Sequence, residues 1–263
     1  MKKLIFLGLT TLCFLNIGAA YSQNVMLDYF FNREVRRGAD GKNVRYHYTW
    51  EDISPSGFSR WGQMFSGMGG QLDSLPYAPT AENLKRAAIY IIVDPDSKKE
   101  SANPNFMTEG YAKVIADWVK SGGVLLLMAN DSANTALDSF NLLAAKFGLH
   151  FNNDVQNYVK DDTRFIDGEV LFTNDPIFRT TGSAFLKDVC SISMAGNAKT
   201  AIRTKNGQTI AATVNYGAGI VFAVGDPWLY NEYVNGRLPK TFENDKAMLD
   251  LSSWLLEKAK TKK

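Results

Sequence analysis

The chain has 263 residues, 45% of them apolar and 21% charged, with 21 Gly, 8 Pro and 12% aromatics. That balance excludes a disordered, collagen-like or fibrous chain. The 29 Lys and Arg against 27 Asp and Glu form no clustered basic face, so a nucleic-acid partner is excluded as well.

The chain opens with Lys2-Lys3, an apolar run from Leu4 to Ile17 and the small residues Gly18, Ala19 and Ala20. This pattern predicts a signal peptide over 1–22, cleaved between Ser22 and Gln23, and a periplasmic or secreted mature protein. No later segment is apolar for about 18 residues, so no membrane span is expected. Loss of the leader removes two lysines and no acids, leaving 27 residues of each sign. Cys13 leaves with it, so the mature chain keeps only Cys190. That residue sits in the alternating stretch Asp188–Met194, which predicts a buried strand position and not a nucleophile.

The mature chain reads first as a βα alternation. Strands are predicted at 25–31, 71–75, 88–93 and 124–128. The runs Ala88–Val93 and Val124–Met128 are continuously apolar, as in strands buried on both faces. Helices are predicted at 58–68, 80–86 capped by Thr80, 108–120 ending at Gly122-Gly123, and 136–147 ending at Gly148. From about 150 to 218 the texture is β-rich, with strand-like pieces at 169–173, 188–194, 198–204 and 208–215 and a hairpin signal at Asn206-Gly207. An apolar strand at 219–224 and a helix at 242–258 close the chain. The expectation is one α/β domain over 23–263: a mainly parallel sheet flanked by helices, with the β-rich segment as either an antiparallel extension or a small subdomain.

Ligands of such sheets bind at the carboxyl ends of the strands. The residues that follow the predicted strands there are Asp94-Pro95-Asp96, Asn130-Asp131 and Asp226-Pro-Trp-Leu-Tyr-Asn-Glu232. Asp94, Asp131, Asp226 and Glu232, with His47, are therefore the candidate acids and bases. A second unusual stretch, Tyr46-His-Tyr-Thr-Trp-Glu-Asp52, is aromatic and polar together. Aromatic rings among acids and amides suit a sugar, whose C–H faces stack while its hydroxyls bond. Trp50, Trp61, Asn130, Trp228, Tyr230 and Asn231 are the candidate binding residues. Asp94-x-Asp96 supplies only two oxygens, too few for calcium. No metal is expected, and the absence of a Walker loop or dinucleotide fingerprint gives no expectation of a cofactor.

Asp-Pro-Asp after one strand, Gly122-Gly-Val-Leu-Leu-Leu-Met-Ala-Asn-Asp131 through another and Gly225-Asp-Pro-Trp-Leu-Tyr-Asn-Glu-Tyr233 near the end resemble a class I glutamine amidotransferase-like domain. More closely, they resemble a domain of unknown function in secreted Bacteroidetes proteins. That domain is also fused to unsaturated uronyl hydrolases of glycoside hydrolase families 88 and 105. The resemblance implies a flavodoxin-like or amidotransferase-like fold. It also implies a partner in polysaccharide breakdown: a uronic-acid-containing oligosaccharide or a glycoside hydrolase. The nucleophilic turn of true amidotransferases corresponds to Met128–Ser132, which holds no Cys. The late His-x-Glu pair is also missing, so glutamine hydrolysis is not expected. Three functions remain open: a carbohydrate-binding accessory protein, a glycoside hydrolase or esterase using the strand-end carboxylates, and a structural or oligomerisation domain.

Overall fold

The two continuously apolar runs become the centre of the molecule because every residue in them needs cover on both faces. The computed structural model describes residues 23–260 apart from 132, 133 and 235, so the expected leader over 1–22, Ser132 and the last three residues lie outside the described residues. The strands in chain order are β1 (Gln23–Asp28), β2 (Val35–Arg37), β3 (Asn43–Arg45), β4 (Gly70–Leu75), β5 (Ile89–Val93), β6 (Val124–Met128), β7 (Leu149–Phe151), β8 (Glu169–Leu171), β9 (Ser183–Phe185), β10 (Ile192–Met194), β11 (Lys199–Arg203), β12 (Thr209–Tyr216) and β13 (Gly219–Val224). The helices are α1 (Ser59–Gly67), α2 (Ala81–Leu84), α3 (Glu109–Lys120), α4 (Leu137–Ala144) and α5 (Asn244–Lys260).

Seven strands form the main sheet in the order β11-β12-β13-β6-β5-β1-β4. β4, β1, β5, β6 and β13 run parallel, and β12 and β11 continue the sheet antiparallel. The mainly parallel α/β architecture predicted from the alternation of strands and helices is the one present. Part of the β-rich segment is the antiparallel extension, while β7 with β10 and β8 with β9 make separate two-stranded sheets. The expected strand at 188–194 is shortened to β10, its first residues making only an isolated bridge from Val189 to Gln156.

Alternate residues of the central strands feed two cores. Leu27, Ile91, Val93, Leu126, Met128 and Phe222 face α1 and α5. Met26, Tyr90, Ile92, Leu125 and Leu127 face α2, α3 and α4. Period-two side-chain direction in strands that are apolar at every position therefore yields a three-layer sandwich. Among the described residues no helix is long and apolar enough to cross a membrane.

Helix ends follow local chemistry. Thr80 and Asn83 form a reciprocal capping box on α2, and Thr108 Oγ1 accepts the Tyr111 N–H on α3. Helix α1 has no side-chain cap from its own flank.

Candidate functional site at the carboxyl end of the sheet

Parallel pairing puts the ends of β13, β6, β5 and β1 side by side, with Val224, Met128 and Val93 in register. Asp226, Asn130, Asp94 and Asp28, all buried, therefore stand in a row along one edge of the sheet. Asp94 lies at its centre. Thr135 donates to its Oδ1, and Asn130 Nδ2 to its Oδ2 at 3.1 Å. Its backbone is left-handed (φ 42°), as are those of His47 (67°) and Tyr48 (52°). Non-glycine residues held there cost of order 1–3 kcal/mol each and gather at functional sites. The Asp94 conformation is pinned by its N–H on Met128 O at 2.8 Å and by Asn32 Nδ2 on its carbonyl at 3.0 Å.

The His47–Tyr48 turn is held by the loop that follows it. Asp52 accepts the His47 N–H at 3.0 Å, and the Tyr48 N–H reaches Ser56 O at 2.8 Å. Gly57 closes this loop so tightly that a Cβ there would lie 1.8 Å from Asp52 O, which only glycine allows. Gly225 plays the same part under Asp226, where a Cβ would meet Cys190 O at 2.0 Å.

The electrostatics follow from burial. Asp28 is pushed up to about 6 by desolvation, against the hydrogen bonds from Tyr90 and the amides of Phe31 and Phe30. Desolvation lifts Asp94, opposed by the Thr135 bond, the His47 charge and the Asn130 bond. Asp226 is raised well above the usual carboxylate range by burial, with the charges of Asp94, Asp188 and Asp131 adding to it. Its Oδ1 accepts the Trp228 N–H at 2.6 Å, while Oδ2 has no partner. Asp96 rises to about 7 and Glu100 to about 8, both chiefly by burial. His47 Nδ1 lies 2.7 Å from Glu34 Oε2. Burial lowers this imidazole, but the Glu34 bond and the charges of Glu34, Asp94 and Glu100 raise it overall.

The expected residues divide into groups. Asp94, Asp226, Asp131 and His47 share one electrostatic neighbourhood. Asn130 is used internally: it donates to Asp94 and accepts the Asp131 N–H at 2.8 Å. Glu232 points elsewhere. Its Oε1 accepts Ser59 Oγ at 2.5 Å and the Arg60 N–H at 2.7 Å, supplying α1 with the cap its own flank lacks. Glu232→Ala is expected to destabilise the fold by about 1–2 kcal/mol, read as a lower thermal midpoint. An unchanged midpoint would contradict that role.

Three of the expected sugar-stacking rings are corrected by their burial. Trp61 and Tyr230 are 0% and 1% exposed and stack on each other at 5.1 Å. Trp50 is buried, with its indole N–H on Asp73 O at 3.0 Å. A ring without an open face offers nothing for a sugar to stack on. Trp228 is half-buried and set edge-on to Tyr233 at 3.8 Å, with Lys187 Nζ 4.5 Å from its ring centre. Trp228, Tyr233, Asn231, His47, Tyr48 and Arg36, with the 54–56 turn, line a crevice of about 260 Å³.

Glu34, Tyr48, Glu100 and Tyr233 were not among the expected residues. Glu34 meets His47 only because β2 and β3 pair, and that exposed hairpin carries no apolar alternation to reveal it. Cys190 is buried, donates from Sγ to Gly225 O at 3.3 Å, and is pushed up strongly by burial, leaving an inert thiol. Among the described residues no three His, Cys, Asp or Glu converge on a metal-binding geometry.

No family model matches the chain, and no curated protein matches it. Solved structures do share its fold. The N-terminal domain of mmIFT52 superposes with a TM-score of 0.66 at 19% identity, over 89% of this chain and 97% of that one. The cytoplasmic protein STM3548 of Salmonella typhimurium gives 0.55 at 12% identity, over 89% and 98%. A second cytoplasmic protein of that species, STM1381, gives 0.51 at 15% identity, over 78% and 87%. At these identities the likeness is one of fold alone.

Proposed function

We propose that this chain is a secreted carbohydrate-binding accessory protein of polysaccharide breakdown, holding a uronic-acid-containing oligosaccharide in the crevice beside the carboxylate row. The observation that carries this reading is the half-open Trp228 ring, braced edge-on by Tyr233, in a crevice shared with His47, Asn231 and Arg36. The indole takes the C–H face of a sugar, the amide and imidazole take hydroxyls, and the guanidinium suits a sugar carboxylate. Binding is favoured over bond cleavage because no Asp or Glu lines the crevice. Asp94 has both oxygens engaged by Thr135 and Asn130, and Asp226 is fully enclosed.

Calorimetric titration with pectic and other uronic-acid oligosaccharides tests this. We expect Trp228→Ala to weaken binding about tenfold, the equivalent of roughly 1.4 kcal/mol, with thermal stability retained. Silence across a broad panel, or full affinity in the variant, would rule the crevice out.

A further inference from the structure

We propose that a second, larger cleft binds a zwitterionic ligand of the amino-acid or short-peptide class. The cleft has a volume of about 570 Å³ and is built from four separate stretches of chain: the loop after β5, the approach to α3, the start of α4, and β7 with Asn153 shortly after it. That volume lies within the range of small-molecule sites. Its walls belong to the α3–α4 face, whereas Tyr48 of the crevice packs in the opposite core. Thr135, which lines the cleft, is the residue that donates to Asp94. The two recesses thus adjoin the same strand end from different faces of the sheet.

The chemistry of the lining selects the ligand. Phe106 is 37% exposed and, with the buried Phe151, supplies the apolar part of the cleft. Lys98, Asp138 and His150 are exposed, and Asn153 stands beside them. Among the described residues, the side chains of Lys98, Asp138 and His150 form no ion pair or hydrogen bond. Elsewhere on this surface opposite charges pair readily, as Lys113 does with Asp117 and Arg179 with Glu257. The cleft therefore offers one cation and one anion at separate points, with an aromatic ring in the same recess. A neutral sugar leaves both charges unmatched. A simple anion meets Asp138, and a simple cation meets Lys98. A ligand with an ammonium, a carboxylate and an apolar side group satisfies all three: its carboxylate goes to Lys98 and His150, its ammonium to Asp138, and its side chain to Phe106. This assignment is independent of the crevice.

The test uses three probes that differ only at their ends: glycyl-L-phenylalanine, its N-acetyl derivative and its C-terminal amide. Each is titrated into the full mature chain by ligand-observed NMR at millimolar concentration. We expect the free dipeptide to bind about fivefold more tightly than either blocked form. Lys98→Ala should abolish the advantage of the free dipeptide over the amide. Asp138→Asn should abolish its advantage over the acetylated form, and Phe106→Ala should weaken all three. Lys98 and Asp138 are exposed, so both variants should keep the parent's thermal midpoint. Trp228→Ala should leave dipeptide binding intact, so failure here and failure of the sugar crevice are read separately. No detectable binding of the free dipeptide overturns the assignment, as do equal affinities for the three probes or charge variants that leave those affinities unchanged.

Discussion

Replacing Trp61 with Ala is expected to destabilise the protein by about 3–5 kcal/mol and to lower its thermal midpoint by roughly 10 °C. The indole is 0% exposed and packs edge-on to Phe58 at 4.9 Å, against Phe65 at 5.3 Å and face-on to Tyr230 at 5.1 Å. Its N–H donates to Ser252 Oγ at 2.8 Å, tying α1 to α5. Truncation opens a cavity between two helices and the sheet, and removes the donor to the Ser252 hydroxyl, which keeps only its own bond to Met248 O at 2.7 Å. Trp228→Ala should do the opposite, leaving the midpoint nearly in place and weakening the proposed sugar binding about tenfold. The pair separates a ring that holds the fold from the ring proposed to stack on a sugar. Chemical denaturation of both variants checks the first half, and a Trp61→Ala loss below about 1 kcal/mol would contradict the packing described.

The second large effect is on pH dependence. Asp28 titrates near 6 in the fold, against an ordinary value of 3.8. Its neutral form is therefore favoured by folding, and the native state binds the extra proton. The stabilisation is fully present below about pH 4 and is lost as the pH rises through about 6. With roughly 1.4 kcal/mol per unit, that shift amounts to about 3 kcal/mol. Asp94 and Asp226 are raised in the same direction by the same burial, so they steepen the same decline. Stability measured by denaturant titration should thus fall from pH 4 to pH 7. In Asp28→Asn, the amide oxygen can still accept the Phe30 and Phe31 N–H groups, and its NH₂ can donate to the Tyr90 hydroxyl in place of accepting from it. About 3 kcal/mol of the decline should vanish in that variant. A decline that is the same in wild type and in Asp28→Asn would contradict this assignment.

Much of the architecture was legible because a sheet covered on both faces leaves a plain mark. Ile89–Val93 and Val124–Met128 read as strands from composition alone, and Thr80 announced the start of its helix. The row of strand-end acids was legible for the same reason, since parallel strands bring their carboxyl ends to one edge. Burial of individual rings was harder to read. Trp61 lay on a helical apolar stripe with Phe58 and Phe65, a signal of core packing, yet its residue type also suited a sugar platform. Glu232 as the cap of α1 and Glu34 as the partner of His47 depend on tertiary approach, across 173 residues in the first case. Neither relation has a local pattern. The β-rich segment was ambiguous because β8, β9 and β10 are three residues each, too short for periodicity to distinguish an extension from separate hairpins.

Indole N–H resonances of the chain from Gln23 onward, followed by heteronuclear NMR during titration with a uronic-acid oligosaccharide, test the proposed carbohydrate crevice most directly. The five tryptophans give one signal each. The indole of Trp228 should shift progressively with ligand, while those of Trp50, Trp61 and Trp254, all buried, hold still. A saturable titration in which Trp228 stays fixed and another indole moves would contradict the crevice as the binding site.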